Sequence, residues 1–411
     1  MGPMDSSSKL PENNAKPLDG VKVVEMGQLL AGPFAAMLLA WFGAEVIKIE
    51  PPGTGDPLRS WRTLYKGTSL WWYSLARNKK CITLDLRNKK GQEIATQLAK
   101  RADVVVENFK PGTLEKWGLG FAELRAANPG LIMARISGWG QTGPNAGKPG
   151  FAAVGEGVGG LRYVTGDRDR PPVRPNLSLG DSLTGLHAAF GILTALYHRD
   201  AHGTRSGQVV DVAIYESVFN MMESTIPEYD KAGVIREREG TRLSGIVPTG
   251  TYACSDGVYV IIGANGDSLF RRLMTAMGRA EMAGDPRFEH NDDRVLCADE
   301  IDRAIAEWTA HLPSGEVVRI LEEAAVPVGP IYSAKDMMAD PHFLARGLFQ
   351  EADLGDGDKV RLPAISPKLT ETPGGMEWPG PKLGAHNQEV YGGLLGYSDE
   401  EIGKLAAEGI I

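Results

Sequence analysis

Short, wholly apolar runs along this chain alternate with stretches in which apolar residues recur every three or four positions, the pattern of strands alternating with helices. Val21-Lys-Val-Val-Glu25 reads as a strand, 34–42 as a small-residue helix stopped by Gly43, and Glu45-Val-Ile-Lys-Ile49 as a second strand. The alternation continues with a strand at Ile82-Thr-Leu-Asp-Leu86, a helix over 90–100 and a strand at Val104-Val-Val-Glu107. Beyond the 114–126 segment come further strands at Leu131-Ile-Met-Ala-Arg-Ile136 and Gln208-Val-Val-Asp-Val-Ala-Ile214. Strands that are apolar on both faces predict a mostly parallel sheet covered on both sides, hence an α/β domain.

The pattern changes near Val247. Thr251-Tyr-Ala-Cys254 and Val258-Tyr-Val-Ile-Ile262 flank an Asp256-Gly257 turn and read as a hairpin. Helical patterns cover 268–277, 298–311 and 315–325, with a strand at Val328-Gly-Pro-Ile-Tyr332 and a short helix over 334–339. A second hairpin is read around Gly355-Asp-Gly357, and a Pro-rich connector over 371–383 leads to a last helix over 398–408. The expected organisation is a disordered tail over 1–16, a large Rossmann-like domain over 17–225 and a charged linker over 226–246. A smaller α+β domain follows over 247–345, and 346–411 form a connector that returns to the large domain.

The central stretch is Leu177-Ser-Leu-Gly-Asp-Ser-Leu-Thr-Gly-Leu-His-Ala-Ala-Phe-Gly-Ile-Leu-Thr-Ala-Leu-Tyr-His-Arg199. Leu183, Leu186, Phe190, Leu193 and Tyr197 recur at helical spacing and predict a buried helix. Gly185 and Gly191 imply close packing or close approach of a ligand. Asp181 has two readings: with Ser182 it is a candidate N-cap, or it is a carboxylate nucleophile presented at a helix start.

Composition narrows the function classes. Of 411 residues, 42% are hydrophobic, enough for substantial cores. The formal net charge of −8 argues against nucleic acid as the main partner. Cys81, Cys254 and Cys297 are far apart and without a C-x-x-C pair, as expected of reduced thiols in a cytoplasmic protein. No run of about 18 apolar residues is evident, so no membrane span is expected, and the first 16 residues lack the apolar core of a secretory signal. His187, His198 and His202 are not spaced to share one ion and read as structural, so no metal site is expected.

Familiar catalytic motifs are missing. There is no G-x-S-x-G elbow and no P-loop. Gly155-Glu-Gly-Val-Gly-Gly160 matches a dinucleotide fingerprint, but the Pro-rich segment behind it rules out the required helix. Arg77-Asn-Lys-Lys80 and Arg87-Asn-Lys-Lys90 read either as solvated faces or as a phosphate site. Glu107-Asn-Phe-Lys-Pro-Gly112 ends a strand where such sheets place ligands, and reads either as a nucleotide contact or as a simple capping loop.

Taken together, Pro17-Leu-Asp-Gly-Val-Lys-Val23, Ala31-Gly-Pro33, Gly43-Ala-Glu-Val-Ile-Lys-Ile-Glu50, Asn78-Lys79, Glu107-Asn-Phe109, Gly118 and Gly180-Asp181 resemble the class III CoA-transferases. The resemblance runs from about Pro17 to the C-terminus. It implies that Asp181 attacks an acyl-CoA thioester to form a mixed anhydride, then becomes an aspartyl-CoA thioester. It also implies CoA contacts from Gln28, Leu29, Leu30, Ala31, Leu84, Asp85, Leu86, Arg87, Asn108, Phe109, Lys110 and Lys116. A substrate pocket with Phe151 and Gly245 is implied, as is an interlocked homodimer. No tightly bound cofactor is implied; coenzyme A and acyl-CoA are substrates, and the other partner is a small carboxylic acid.

The sequence departs from the formyl-CoA:oxalate members at the apolar Leu29-Leu30, at Ala152 and in the short Leu243-Ser-Gly-Ile-Val-Pro248 segment. Two rivals remain. An α-methylacyl-CoA racemase needs a second base in a His–Asp pair, where this chain carries Phe151-Ala152. A non-catalytic acyl-CoA-binding protein would bind CoA without a covalent adduct. The expected function is transfer of CoA from a donor such as succinyl-CoA to a small carboxylic or dicarboxylic acid; Arg162, Arg168, Arg170 and Arg174 read either as cations for a second carboxylate or as solvated loop charges.

Overall fold

A computed structural model describes residues 15–355 and 357–411. The tail expected over 1–16 lies, for residues 1–14, outside the described residues, as does Asp356 in the turn of the second hairpin. The described residues divide into two compact units: 15–161, 175–223 and 345–411 form the first, and 162–174 with 224–344 form the second.

The first unit is built on a parallel sheet. Its strands are β1 (Lys22–Glu25), β2 (Glu45–Glu50), β3 (Lys79–Thr83), β4 (Val104–Glu107), β5 (Ile132–Ser137) and β6 (Val209–Ala213). They lie in the order β3-β2-β1-β4-β5-β6, every neighbouring pair parallel. That order is the Rossmann order, in which ligands bind beyond the carboxyl ends of the strands.

Alternating side chains feed two cores. In β4, Val104 and Val106 join the cluster containing α1 (Ala31–Trp41) and α4 (Leu179–Ala201), while Val105 joins the cluster on the other face. That second cluster takes Ile94 and Leu98 of α2 (Lys89–Ala99), then Val390, Tyr391, Leu405 and Ile411 from the end of the chain. The C-terminal segment is tied to the sheet where Tyr391 Oη donates to Thr83 O (2.5 Å) and Asp85 N–H to Ile410 O (2.8 Å).

Three expectations are corrected here. The third strand runs over Lys79–Thr83 rather than 82–86, because Lys79 is buried and ion-paired to Glu25 (2.7 Å) instead of marking a polar loop. The Arg77–Lys80 run is accordingly neither a solvated face nor a phosphate site: Arg77 is buried and donates to Ser74 O and Pro363 O. On α4, the large apolar stripe is outside: Leu186, Phe190, Leu193 and Tyr197 are 54%, 71%, 41% and 68% exposed. The packed face is the small one, with Gly185, Ala188, Ala189, Ile192 and Ala195 buried.

By length and composition alone, α4 is long and apolar enough to cross a membrane. Its small-residue face nevertheless packs into the core shared with α1 and the sheet.

The second unit holds an antiparallel sheet of β7 (Thr249–Ala253), β8 (Tyr259–Gly263) and β9 (Val328–Pro330), with β8 central. Helices Asp267–Ala276, Ala298–Ala310 and Ser314–Glu323 cover its core through Phe270, Leu273, Ile301, Ile305, Val317 and Leu321. Residues 226–246, read as a linker, belong to this unit and begin within the helix Thr225–Ala232. Residues 162–174, read as part of the large domain, belong to it as well.

Candidate active site

The two helices on one face of the sheet run the same way. The end of α1 meets the start of the sheet, where Leu18 N–H bonds Phe42 O (2.9 Å) and Glu45 N–H bonds Val21 O (2.9 Å). The end of α4 also meets it, where Arg199 reaches Asp103 (2.9 Å) and Gly130 O (3.2 Å) ahead of β4 and β5. The starts of both helices, with Asp181 on α4, therefore lie at the carboxyl edge of the strands.

Asp181 is half-buried in the first turn of α4. The helix starts two residues before it, with Ser178 at the N-cap, so neither Asp181 nor Ser182 is the cap. A carboxylate in this first turn is favoured by the helix dipole. The preceding residue has to be small: a Cβ on Gly180 would lie 3.1 Å from Glu156 Cγ and 3.3 Å from Ala152 Cβ. Glu156 is fully buried on α3 (Ala152–Val158) and accepts the Gly180 N–H (3.3 Å), docking that helix against the peptide just before Asp181. Of the glycines in 155–160, Gly155 and Gly159 serve helix packing: a Cβ would lie 2.6 Å from Ile214 Cγ2 on the first and 2.7 Å from Tyr215 O on the second. Phe151 opens α3 and is 69% exposed.

A cavity of about 150 Å³ opens at the same sheet edge, lined by Gln28, Glu50, Leu84, Asp85, Leu86, Arg87, Phe109 and Trp117 together with Met26, Ile49 and Pro51. Gln28, Leu84, Asp85, Leu86, Arg87 and Phe109 are six of the positions singled out for CoA, brought together from three separate strand ends. Trp117 was not singled out; it meets Phe109 edge to face, with ring centroids 5.4 Å apart. The signal for it, an aromatic residue four positions short of the next helix, is too weak to read from sequence alone.

The other singled-out positions do different things. Asn108 spends its side chain on the backbone of Gln28: Oδ1 accepts the Gln28 N–H (2.8 Å) and Nδ2 donates to Gln28 O (2.7 Å). Leu30 is buried in a cluster with Met37, Leu58, Trp72 and Leu75, Leu29 packs against it, and Ala31 is buried in the first turn of α1. Lys110 and Lys116 are exposed outside the cavity. Gly245 belongs to the second unit, in a cleft of 760 Å³ lined also by Arg242, Ser244 and Arg303. Of the loop arginines, Arg168 pairs with Glu239 and Arg170 with Asp167 (3.7 Å). His187 is structural, its ring between Leu183 O (2.8 Å) and the Asn220 amide (2.9 Å).

The strand-end loop of Phe109 is braced from below. Glu107 accepts the Phe109 N–H (2.8 Å) and pairs with Arg135 (2.8 Å), which also holds Glu115 (2.6 Å). Burial raises the pKa of Glu107, with Arg135 opposing it. The 107–112 loop is thus both a capped turn and, through Phe109, a wall of the cavity.

Sheet order and cavity position define a Rossmann-like α/β protein with a cavity over the carboxyl ends of its strands. The family model of CoA-transferase family III matches residues 18–387. The succinyl-CoA–D-citramalate CoA-transferase of Chloroflexus aurantiacus is 50% identical, over 96% of this chain and 98% of that protein. The succinyl-CoA:glutarate CoA-transferase of Homo sapiens is 33% identical, over 97% and 91%. A solved CAIB/BAIF family protein from Brucella suis superposes with a TM-score of 0.82 at 34% identity, covering 92% of this chain and all of that one. The chain belongs to CoA-transferase family III and is an enzyme of that class.

Proposed function

We propose that this enzyme moves CoA from a donor such as succinyl-CoA to a small carboxylic or dicarboxylic acid, with Asp181 as the covalent carrier. The Asp181 carboxylate attacks the donor thioester carbonyl; CoA thiolate leaves and an aspartyl–acyl anhydride forms. The thiolate then attacks the aspartyl carbonyl, expelling the donor acid and leaving an aspartyl-CoA thioester. The acceptor carboxylate displaces the thiolate from that thioester, giving a second anhydride. Attack of the thiolate on the acceptor's acyl carbon releases acceptor-CoA and restores Asp181. Each intermediate stays activated, so the thioester energy is retained while one difficult exchange becomes four easier steps.

The observation that carries this reading is the placement of a half-buried carboxylate in the first turn of α4 at the sheet edge that also holds the cavity. Relatives named for succinyl-CoA-dependent exchange onto citramalate and glutarate support a dicarboxylic acceptor. The racemase alternative has no support at its second-base position, where Phe151 and Ala152 stand. The exposed stripe Leu186, Phe190, Leu193 and Tyr197 supports a homodimer, interlocked as the family resemblance implies, in which a second copy covers it.

The test is a panel of mono- and dicarboxylic acids offered with succinyl-CoA, products resolved by mass. The reading predicts a new acyl-CoA with at least one small acid. Epimerisation of a 2-methylacyl-CoA with no CoA exchange would replace it with the racemase reading.

A further inference from the structure

The loop between β1 and α1 supplies Gln28 to the cavity, and its conformation is unfavourable. Leu29 has φ 64, in the left-handed region that side-chain-bearing residues avoid. Such a residue persists only where its surroundings over-determine it. Here two consecutive peptides are held at both ends. In the first, Gly27 O accepts from Lys48 Nζ (2.9 Å) and the Gln28 N–H donates to Asn108 Oδ1 (2.8 Å). In the second, Gln28 O accepts from Asn108 Nδ2 (2.7 Å) and the Leu29 N–H points at both carboxylate oxygens of Asp56 (3.1 and 3.2 Å).

Asp56 is placed for this and does not itself line the cavity. It is 1% exposed, and its charge is compensated by Lys48 (2.8 Å), which also pairs with Glu25 (2.7 Å). Its own N–H bonds Glu50 (2.9 Å), a second wall residue, which Arg59 grips through two nitrogens (2.7 and 2.8 Å). Asp56 therefore stands between two walls of one cavity. Its plainer role, capping the short helix Pro57–Ser60 through the Leu58 N–H (2.9 Å), uses one oxygen and leaves the Leu29 contacts unexplained.

We propose that Asp56 is a positioning residue for CoA binding: it holds Leu29 in the left-handed turn that presents Gln28 to the cavity. The proposal rests on the reading of that cavity as the CoA site. A serine at 56 keeps a capping oxygen but is too short to hold Leu29 as well. A glycine at 29 adopts the same turn without a clamp. The two substitutions should therefore be coupled.

The experiment is calorimetric titration of the full chain with free CoA, for the parent, Asp56→Ser, Leu29→Gly and the double variant, with thermal melts alongside. Asp56→Ser is expected to weaken CoA binding roughly tenfold, the factor that one left-handed non-glycine residue is worth, and the double variant to recover most of the loss. If Asp56→Ser does not fold, Asp56→Asn replaces it, with a smaller loss and the same recovery expected. Unchanged affinity in the single variant, or a loss that Leu29→Gly does not relieve, overturns the proposal. A parent chain that binds no CoA overturns the underlying site reading instead, and shows it before any substitution is made.

Discussion

Gly185 on α4 rests against the Ala31 carbonyl of α1: a Cβ built on the glycine would lie 2.7 Å from that oxygen and 2.8 Å from Phe34 Cδ1. The contact sets how closely α4 approaches α1, and Asp181 lies one helical turn ahead of it on the same face. Gly185→Val should push the two helices apart, destabilising the first unit by about 1–3 kcal/mol. Thermal denaturation reads the loss, and CoA-transfer activity should fall by more than the folded fraction does. Unchanged melting would show that the contact is slack.

Arg135 neutralises the buried Glu107 that holds the Phe109 loop. Arg135→Ala leaves that carboxylate without its partner and should lower stability by on the order of 3–5 kcal/mol. CoA affinity should fall with it, since Phe109 loses its brace. Glu107→Gln should be milder, because the amide oxygen can still accept the Phe109 N–H. Equal losses in the two variants would contradict the charge argument.

The apolar stripe on α4 makes the oligomer testable. Phe190→Asp should leave the fold intact, as judged by circular dichroism, because Phe190 is 71% exposed in the single chain. If a second copy covers this face, light scattering should show the variant as a monomer and the parent as a dimer. A parent that is monomeric at assay concentration would remove the dimer from the account.

His386 links the C-terminal connector to β3 by accepting the Cys81 N–H at Nδ1 (3.1 Å). Burial holds its pKa below the ordinary 6.5, with Glu389 opposing and Lys80 assisting. A depressed histidine contributes stability that is present above the unfolded value and lost as pH falls through the lower, folded one. The His386 ring protons should therefore titrate below pH 6.5 by NMR, and the first unit should begin to weaken over the same interval. A midpoint at or above 6.5 would contradict the burial argument.

The strand–helix alternation was legible because parallel strands buried on both faces leave an unbroken apolar signal. Six cavity residues were legible through the family resemblance, and Phe109 also because such sheets place ligands at strand ends. The burial of Lys79 was not: its partner Glu25 is more than fifty positions away, and a local window reads the lysine as solvent-facing. The facing of α4 was misread for a related reason. Hydropathy favours its large residues as the core, yet the sheet side accepts only small ones, as Gly185 against Ala31 and Gly191 against Val210 demonstrate. Asn108 was assigned to the ligand because a strand-end amide and a ligand contact look alike until the Gln28 backbone is seen occupying both its ends.

The most direct test is mass analysis of the Asp181 peptide after incubation with succinyl-CoA and quenching with hydroxylamine or borohydride. The account predicts a hydroxamate or a reduced side chain at Asp181 alone, absent from Asp181→Asn, with turnover in that variant abolished. An unmodified Asp181 in a chain that still exchanges CoA, or undiminished exchange by Asp181→Asn, would contradict it.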